Sequence, residues 1–177
     1  MKFLEGKNIY LRPILEEDLS GEYLRWINDG SNDEFTEHAQ FPHRVKDLKC
    51  YAEKKWNDPS CVWLAVIERA SNLHIGNVEL CDIDLIHKKC EFKILIDKSR
   101  HGKGYGVEAS RLILNYAFGK LNLHRVYLGV HEDNKKARNL YEKLGFLKEG
   151  VLRETFLRDG VWKNSIVMGL LADELKE

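Results

Sequence analysis

The apolar positions of this chain fall into runs of two kinds, and the change from one kind to the other marks its elements. Asn8–Ile14 (NIYLRPI) reads as a short strand that Pro13 helps to end. Leu19, Tyr23, Trp26 and Ile27 then recur at helical spacing, which predicts a helix over Glu16–Asn28. Asp29–Arg44 is polar and broken by Gly30 and Pro42. It reads as a loop whose Phe35 and Phe41 either pin it to the core or meet a ligand. Val45–Trp56 has a helical pattern again, stopped by Asn57-Asp58-Pro59.

From there the pattern is that of strands. Cys61–Glu68 (CVWLAVIE), Ile75–Ile83 and Cys90–Asp97 are separated by turns at Ser71-Asn72 and His87-Lys88-Lys89, which predicts an antiparallel meander. After a glycine-rich turn, Ala109, Leu112, Ile113, Tyr116 and Ala117 share one helical face that packs against a sheet. Arg125–Val130 is a further strand. Asn134–Leu144 is a helix with Ala137, Leu140, Tyr141 and Leu144 on its apolar face, Asn134 at its N-cap and Gly145 where a left-handed cap belongs. The chain ends in a hairpin, Val151–Leu157 and Val161–Leu170, around the favoured turn pair Asp159-Gly160. The order β-α-α-β-β-β-α-β-α-β-β gives an α+β fold, a mixed sheet flanked by helices.

Length and charge narrow the classes. With 177 residues, a single domain over 1–177 is expected, able to bury roughly 70% of its extended surface. The 28 basic residues balance 28 acidic ones, so neither nucleic acid nor a membrane surface is indicated as a partner. No apolar run approaches a membrane span, and the opening MKFLEGKN has no signal-peptide core. Cys50, Cys61, Cys81 and Cys90 show neither C-x-x-C spacing nor a His cluster. They read as reduced thiols in partly buried strands of a cytoplasmic protein, with no metal site.

The candidate chemistry lies in HGKGYG, His101–Gly106, between a strand and a helix. Gly102, Gly104 and Gly106 leave the backbone bare, so the turn can take positive φ and let a ligand lie on the main chain. The first helical amides lack intrahelical partners and carry partial positive charge. With Arg100, His101 and Lys103 alongside, this is a phosphate site; the plainer alternative is a turn that only tightens a corner. A P-loop would need a hydroxyl residue after its lysine, and none follows Lys103. Gly104, Gly106 and Ala109 do fit the dinucleotide fingerprint, but the successive βαβ units of that fold are missing.

HGKGYG followed by VEA, together with NKKARNLYEKLGF at Asn134–Phe146, resembles the GNAT superfamily of acetyl-CoA-dependent N-acetyltransferases. The likeness covers nearly the whole chain and is strongest to the branch of ribosomal-protein alanine, spermidine and aminosugar N-acetyltransferases. Its pyrophosphate signature, Q/R-x-x-G-x-G/A, is met everywhere except at the first position, where His101 stands with Arg100 before it. The resemblance implies a mostly antiparallel twisted sheet of about six to seven strands. It implies acetyl-CoA as co-substrate, with the pyrophosphate held on His101, Gly102, Lys103, Gly104, Tyr105 and Gly106. It also implies that the strand before the glycines splays from Arg125–Val130, so that main-chain groups of Ile94, Leu95 and Ile96 meet the pantetheine and thioester. Asn134 would bind the pantetheine, and a backbone amide near Leu95 would hold the oxyanion.

Acetyl transfer needs a neutral amine, a stabilised oxyanion and a proton for the departing thiolate. The resemblance gives the last task to Tyr141, which its apolar face equally suits to the core. Glu79 and Glu91, on neighbouring strands, are candidates to take the amine proton or to bind a cationic acceptor; solvated strand carboxylates are the alternative. In the polar loop, Asp33, Glu34 and Glu37 would attract a polyamine. FPHRVKDL at Phe41–Leu48 looks more like enzymes of surface-sugar synthesis. A small-molecule primary amine, polyamine or amino sugar, is the expected acceptor. A protein N-terminus and a non-catalytic acetyl-CoA-binding domain are the alternatives, and a homo-oligomer is possible.

Overall fold

In the computed structural model of the chain, which describes residues 1–29, 35 and 41–176, two compact units are distinguished. Unit 1 comprises Met1–Cys81 and Lys93–Ile113; unit 2 comprises Asp82–Phe92 and Leu114–Glu177.

Unit 1 is built on β3 (Val62–Glu68), where the run VWLAVIE is buried on both faces from Trp63 onward. On one side β3 pairs antiparallel with β2 (Ile9–Pro13), which pairs with the two-residue β1 (Leu4–Glu5). On the other it pairs with β4 (His74–Asp84), whose neighbour is β5 (Lys89–Ile96). Helix α2 (Val45–Trp56) has the predicted bounds. It starts where the Arg44 amide donates to the Asp47 carboxylate at 2.9 Å, closing the first turn. The predicted helix Glu16–Asn28 is broken. A 3₁₀ turn covers Glu16–Leu19, and α1 runs over Glu22–Asn28. The break falls at Gly21, whose φ of +123° no helix can contain. The apolar face survives it: Leu19, Tyr23, Trp26 and Ile27 still pack with Leu48, Ala52, Trp63 and Ile67. Each large side chain buried there contributes roughly 1.5–3 kcal/mol.

Unit 2 continues from β5. Lys89, Cys90 and Glu91 pair parallel with Arg125, Val126 and Tyr127 of β6 (Arg125–His131). β6 pairs antiparallel with β8 (Val161–Leu171), which pairs with β7 (Leu147–Arg158). Helix α4 (Lys135–Leu144) opens on Asn134, whose side chain accepts from the Ala137 amide at 3.0 Å. It closes at Gly145 with φ +106°, and the Phe146 amide returns to the Tyr141 carbonyl at 3.0 Å. Helix α3 (Tyr105–Gly119) belongs to unit 1 up to Ile113 and to unit 2 from Leu114.

Among the described residues the strands number eight, above the six to seven expected. The addition is β1, too short to leave a pattern. β7 also begins at Leu147 rather than Val151, because its pairing with β8 shifts register after Lys148 and after Leu152 and so blurs the alternation. Asp97 is not in β5; it caps the 3₁₀ turn Lys98–Arg100. None of the four cysteines is in a disulfide, but Cys50 is exposed on α2 and Cys61 stands just before β3 rather than in a strand.

Candidate active site

The glycine turn lies in unit 1, between the 3₁₀ turn and α3. Gly102 and Gly104 have φ of +79° and +82°, values that L side chains rarely adopt. A Cβ built on either would meet nothing within 4 Å, so the space over this backbone is open. Gly106 is instead inside the first turn of α3, where amides have no intrahelical acceptor. Open positive-φ backbone running into a helix N-terminus suits the pyrophosphate of acetyl-CoA.

The flanking side chains are committed elsewhere. His101 donates from Nε2 to the Ile96 carbonyl at 2.9 Å, tying the turn to the end of β5. Arg100 pairs with Glu68 at 3.0 Å, and the Tyr105 hydroxyl donates to the same carboxylate at 2.6 Å. Lys103 is exposed. Glu68 escaped sequence reasoning, although one signal was there: a carboxylate ending an apolar strand must be paired if it is buried.

The outward edge of β5 follows from one bond. The Asp97 amide donates to the Ile75 carbonyl at 2.9 Å, so alternate residues back from Asp97 direct their main-chain groups toward β4. Leu95 is among them. The groups of Ile94 and Ile96 point the other way, as the His101–Ile96 bond requires. An amide directed outward near Leu95 is therefore that of Ile94 or Ile96.

Glu79 is not the solvated carboxylate allowed above: it is 6% exposed. It stands opposite Trp63 in the β3–β4 ladder and is ion-paired with Lys55 of α2. The Lys55 ammonium sits 5.6 Å from the Tyr51 ring centroid, and Cys61 Sγ donates to Glu79 at 3.6 Å. Against a desolvation that would lower it, the Glu79 hydrogen bond and charge raise the Lys55 pKa. Burial and the nearby Glu79 push the Cys61 thiol up to about 12, so it is an inert hydrogen-bond donor.

Tyr141 belongs to unit 2, 8% exposed and packed edge-on against Phe92 with Phe146 beside it. Burial pushes its phenol up to about 12, and among the described residues its hydroxyl has no hydrogen-bond partner. Glu91, half-buried on β5, also falls in unit 2. Asn134 caps α4. Glu34, with Asp33 and Glu37, lies outside the described residues. Phe41 is 71% exposed, so it does not pin the loop to the core.

The eight described strands with their flanking helices and the open glycine turn ahead of α3 make an α+β protein with an anion-binding turn. The chain belongs to the GNAT acetyltransferase family, whose acetyltransferase domain matches residues 8–147. It is 42% identical over 164 residues to a spermidine N(1)-acetyltransferase of Escherichia coli, covering 91% of this chain and 84% of that one. A spermidine N-acetyltransferase of Vibrio cholerae, solved with CoA and spermine, matches with TM-score 0.84 and 31% identity over 94% of this chain and 97% of that one. A dodecameric structure of the Vibrio enzyme in an intermediate state matches with TM-score 0.78 and 32% identity over 94% and 95% of the two chains. The protein is an acetyl-CoA-dependent N-acetyltransferase. Among the described residues no helix is long and apolar enough to cross a membrane.

Proposed function

We propose that the protein transfers the acetyl group of acetyl-CoA to a primary amine of a polyamine. The observation that carries the donor half is the open glycine turn, with Gly102 and Gly104 at positive φ ahead of α3. The acceptor half rests on the likeness to the spermidine enzymes of Escherichia coli and Vibrio cholerae. The pyrophosphate binds on His101–Gly106, and Ile94, Leu95, Ile96 and Asn134 bind the pantetheine, as the family resemblance implies. The whole of 1–177 acts as one N-acetyltransferase domain; the family match runs through segments of both units.

In the reaction the neutral amine attacks the thioester carbon, a C–N bond forms and the carbonyl oxygen becomes an oxyanion. An outward β5 amide donates to it, worth on the order of 10²–10³ in rate. The C–S bond then breaks, and the thiolate takes the Tyr141 proton, a contribution of roughly 10²–10⁴. The amine proton leaves to Glu79, directly or through water; Glu79, Glu91 and Glu34 draw the cationic acceptor. The enzyme works in the cytoplasm, where free thiols persist, and as a homo-oligomer, in keeping with the dodecameric Vibrio structure.

One observation favours an amino sugar instead: Lys55 already neutralises Glu79, which suits an acceptor of lower charge. A thiol-release assay at fixed acetyl-CoA, with spermidine, spermine, amino-sugar nucleotides and short peptides, separates the readings. Polyamines should lead in kcat/KM by at least about tenfold. Release stimulated by an amino sugar and not by a polyamine overturns the acceptor assignment.

A further inference from the structure

The glycine turn has a buried carboxylate at its back that the reaction does not use. Glu68 ends β3 and is 5% exposed. Its Oε1 accepts from the Tyr105 hydroxyl at 2.6 Å, its Oε2 accepts from the Ser71 hydroxyl, and Arg100 Nη1 lies 3.0 Å from Oε2. Arg100 is the last residue before His101–Gly104, and Tyr105 is the first residue after it. One carboxylate therefore holds both ends of the turn. Charge-assisted hydrogen bonds of this kind are about twice as strong as neutral ones.

The turn needs such a clamp. Two of its four residues are positive-φ glycines over which nothing packs, and glycine backbone has the most freedom to lose on ordering. A ligand that must order the turn binds more weakly than one that finds it ordered. The clamp also spends the Arg100 charge on Glu68, leaving exposed Lys103 as the cation of the turn.

We infer that Glu68 is a positioning residue for the pyrophosphate turn: it fixes Arg100 and Tyr105 so that the amides between and after them are aimed at the phosphates. Glu68 itself touches no ligand. The inference rests on the reading of the turn as the pyrophosphate site.

The test compares acetyl-CoA with S-acetylpantetheine, which keeps the thioester and pantetheine but lacks the pyrophosphate. In Glu68→Gln, the ratio of kcat/KM for acetyl-CoA to that for S-acetylpantetheine should fall at least about tenfold, carried by the acetyl-CoA KM, since small misplacements of binding groups cost up to about 10²-fold. Glu68→Asp should recover part of the ratio. Tyr105→Phe removes one of three donors and keeps the carboxylate; it should lower the ratio by about two- to fivefold, and it serves if Glu68→Gln does not fold. An equal loss with both donors means that Glu68 supports the fold alone, and the inference is wrong. Gly104→Val distinguishes the two layers: a fallen ratio there with an unchanged one in Glu68→Gln and Tyr105→Phe overturns only the positioning role. An unchanged ratio in Gly104→Val overturns the pyrophosphate site and the clamp together.

Discussion

Gly76, in β4, sits where a single methyl group would press on the proposed reaction centre. A Cβ built there would lie 2.4 Å from the Leu95 carbonyl oxygen, 2.6 Å from Ile96 Cδ1 and 3.0 Å from Ile96 Cα. The Ile96 side chain can rotate away, but the Leu95 carbonyl is main chain and cannot. Ordinary contact begins near 3.4 Å, so Gly76→Ala must push Leu95 by about 1 Å or distort β4 by as much. Gly76 does not have a positive φ, so the added methyl acts through contact alone. Overpacking of this sort costs about 1–3 kcal/mol, roughly 2–12 °C in Tm for a chain of this size. A 1 Å shift of the oxyanion donor and thioester clamp costs up to about 10² in rate. We therefore expect kcat to fall about 10- to 100-fold, measured by thiol release at saturating acetyl-CoA, with Tm read separately. Gly119→Ala is the control, because a Cβ there meets nothing within 4 Å; its kcat should match the parent. If Gly76→Ala is folded and turns over within about twofold of the parent, well short of the expected loss, Leu95–Ile96 does not hold the reacting carbonyl.

Two further substitutions probe the remaining groups. Tyr141→Phe keeps the ring on Phe92 and Phe146 and deletes only the proton, so kcat should drop roughly 10- to 10⁴-fold with acetyl-CoA affinity and Tm nearly unchanged. Burial holds that phenol up to about 12, so it stays protonated at working pH, and an alkaline fall in kcat centred near pH 8 would belong to another group. An active but markedly less stable Tyr141→Phe would make the hydroxyl structural and the acid assignment wrong. Lys55→Met strands the Glu79 carboxylate; with side chains 19% and 8% exposed, the loss should approach the lower end of about 3–5 kcal/mol. Adding Glu79→Gln should restore much of it in urea melts, and no recovery would mean that the pair is not what Lys55 stabilises.

Local features were legible in the sequence and long-range ones were not. Helix α2 was readable to the residue because its face, its N3 acid Asp47 and its Asn57-Asp58-Pro59 stop all lie within one stretch. The cap at Gly145 was readable because only glycine sits easily at φ +106°. The break at Gly21 has only a short local signal, the Ser20-Gly21 pair, and Leu19, Tyr23, Trp26 and Ile27 keep helical spacing across it. The ion pair of Lys55 with Glu79 and the bond of Tyr105 to Glu68 join residues 24 and 37 apart. Those meetings depend on where α2 and α3 pack on the sheet, which no local pattern encodes. The same holds for the outward edge of β5: alternation says that every second residue faces outward, and only the Asp97–Ile75 bond says which.

The Lys55–Glu79 pair bears on how a polycation could be received. A polyamine brings several ammonium groups, each of which loses water on binding and needs a carboxylate in return. On the polyamine reading, Glu79 would be a poor partner if it had to accept a second cation beside Lys55. It need not. Lys55 ends in a primary ammonium on an alkyl chain, the same chemical group as a polyamine terminus, held by a carboxylate and a tyrosine ring. An arriving ammonium that replaces it makes an exchange of like for like, with no change in the charge of the pair. The side chain of Lys55 is 19% exposed and long enough to carry its charge out to water while its stem stays packed. The cost of the exchange is then the lost pairing of Lys55, whereas a neutral amino sugar that leaves the pair intact incurs none. Lys55→Met removes that competitor. On the polyamine reading it should lower the spermidine KM while it lowers stability, two effects of opposite sign that simple loss of structure cannot produce together.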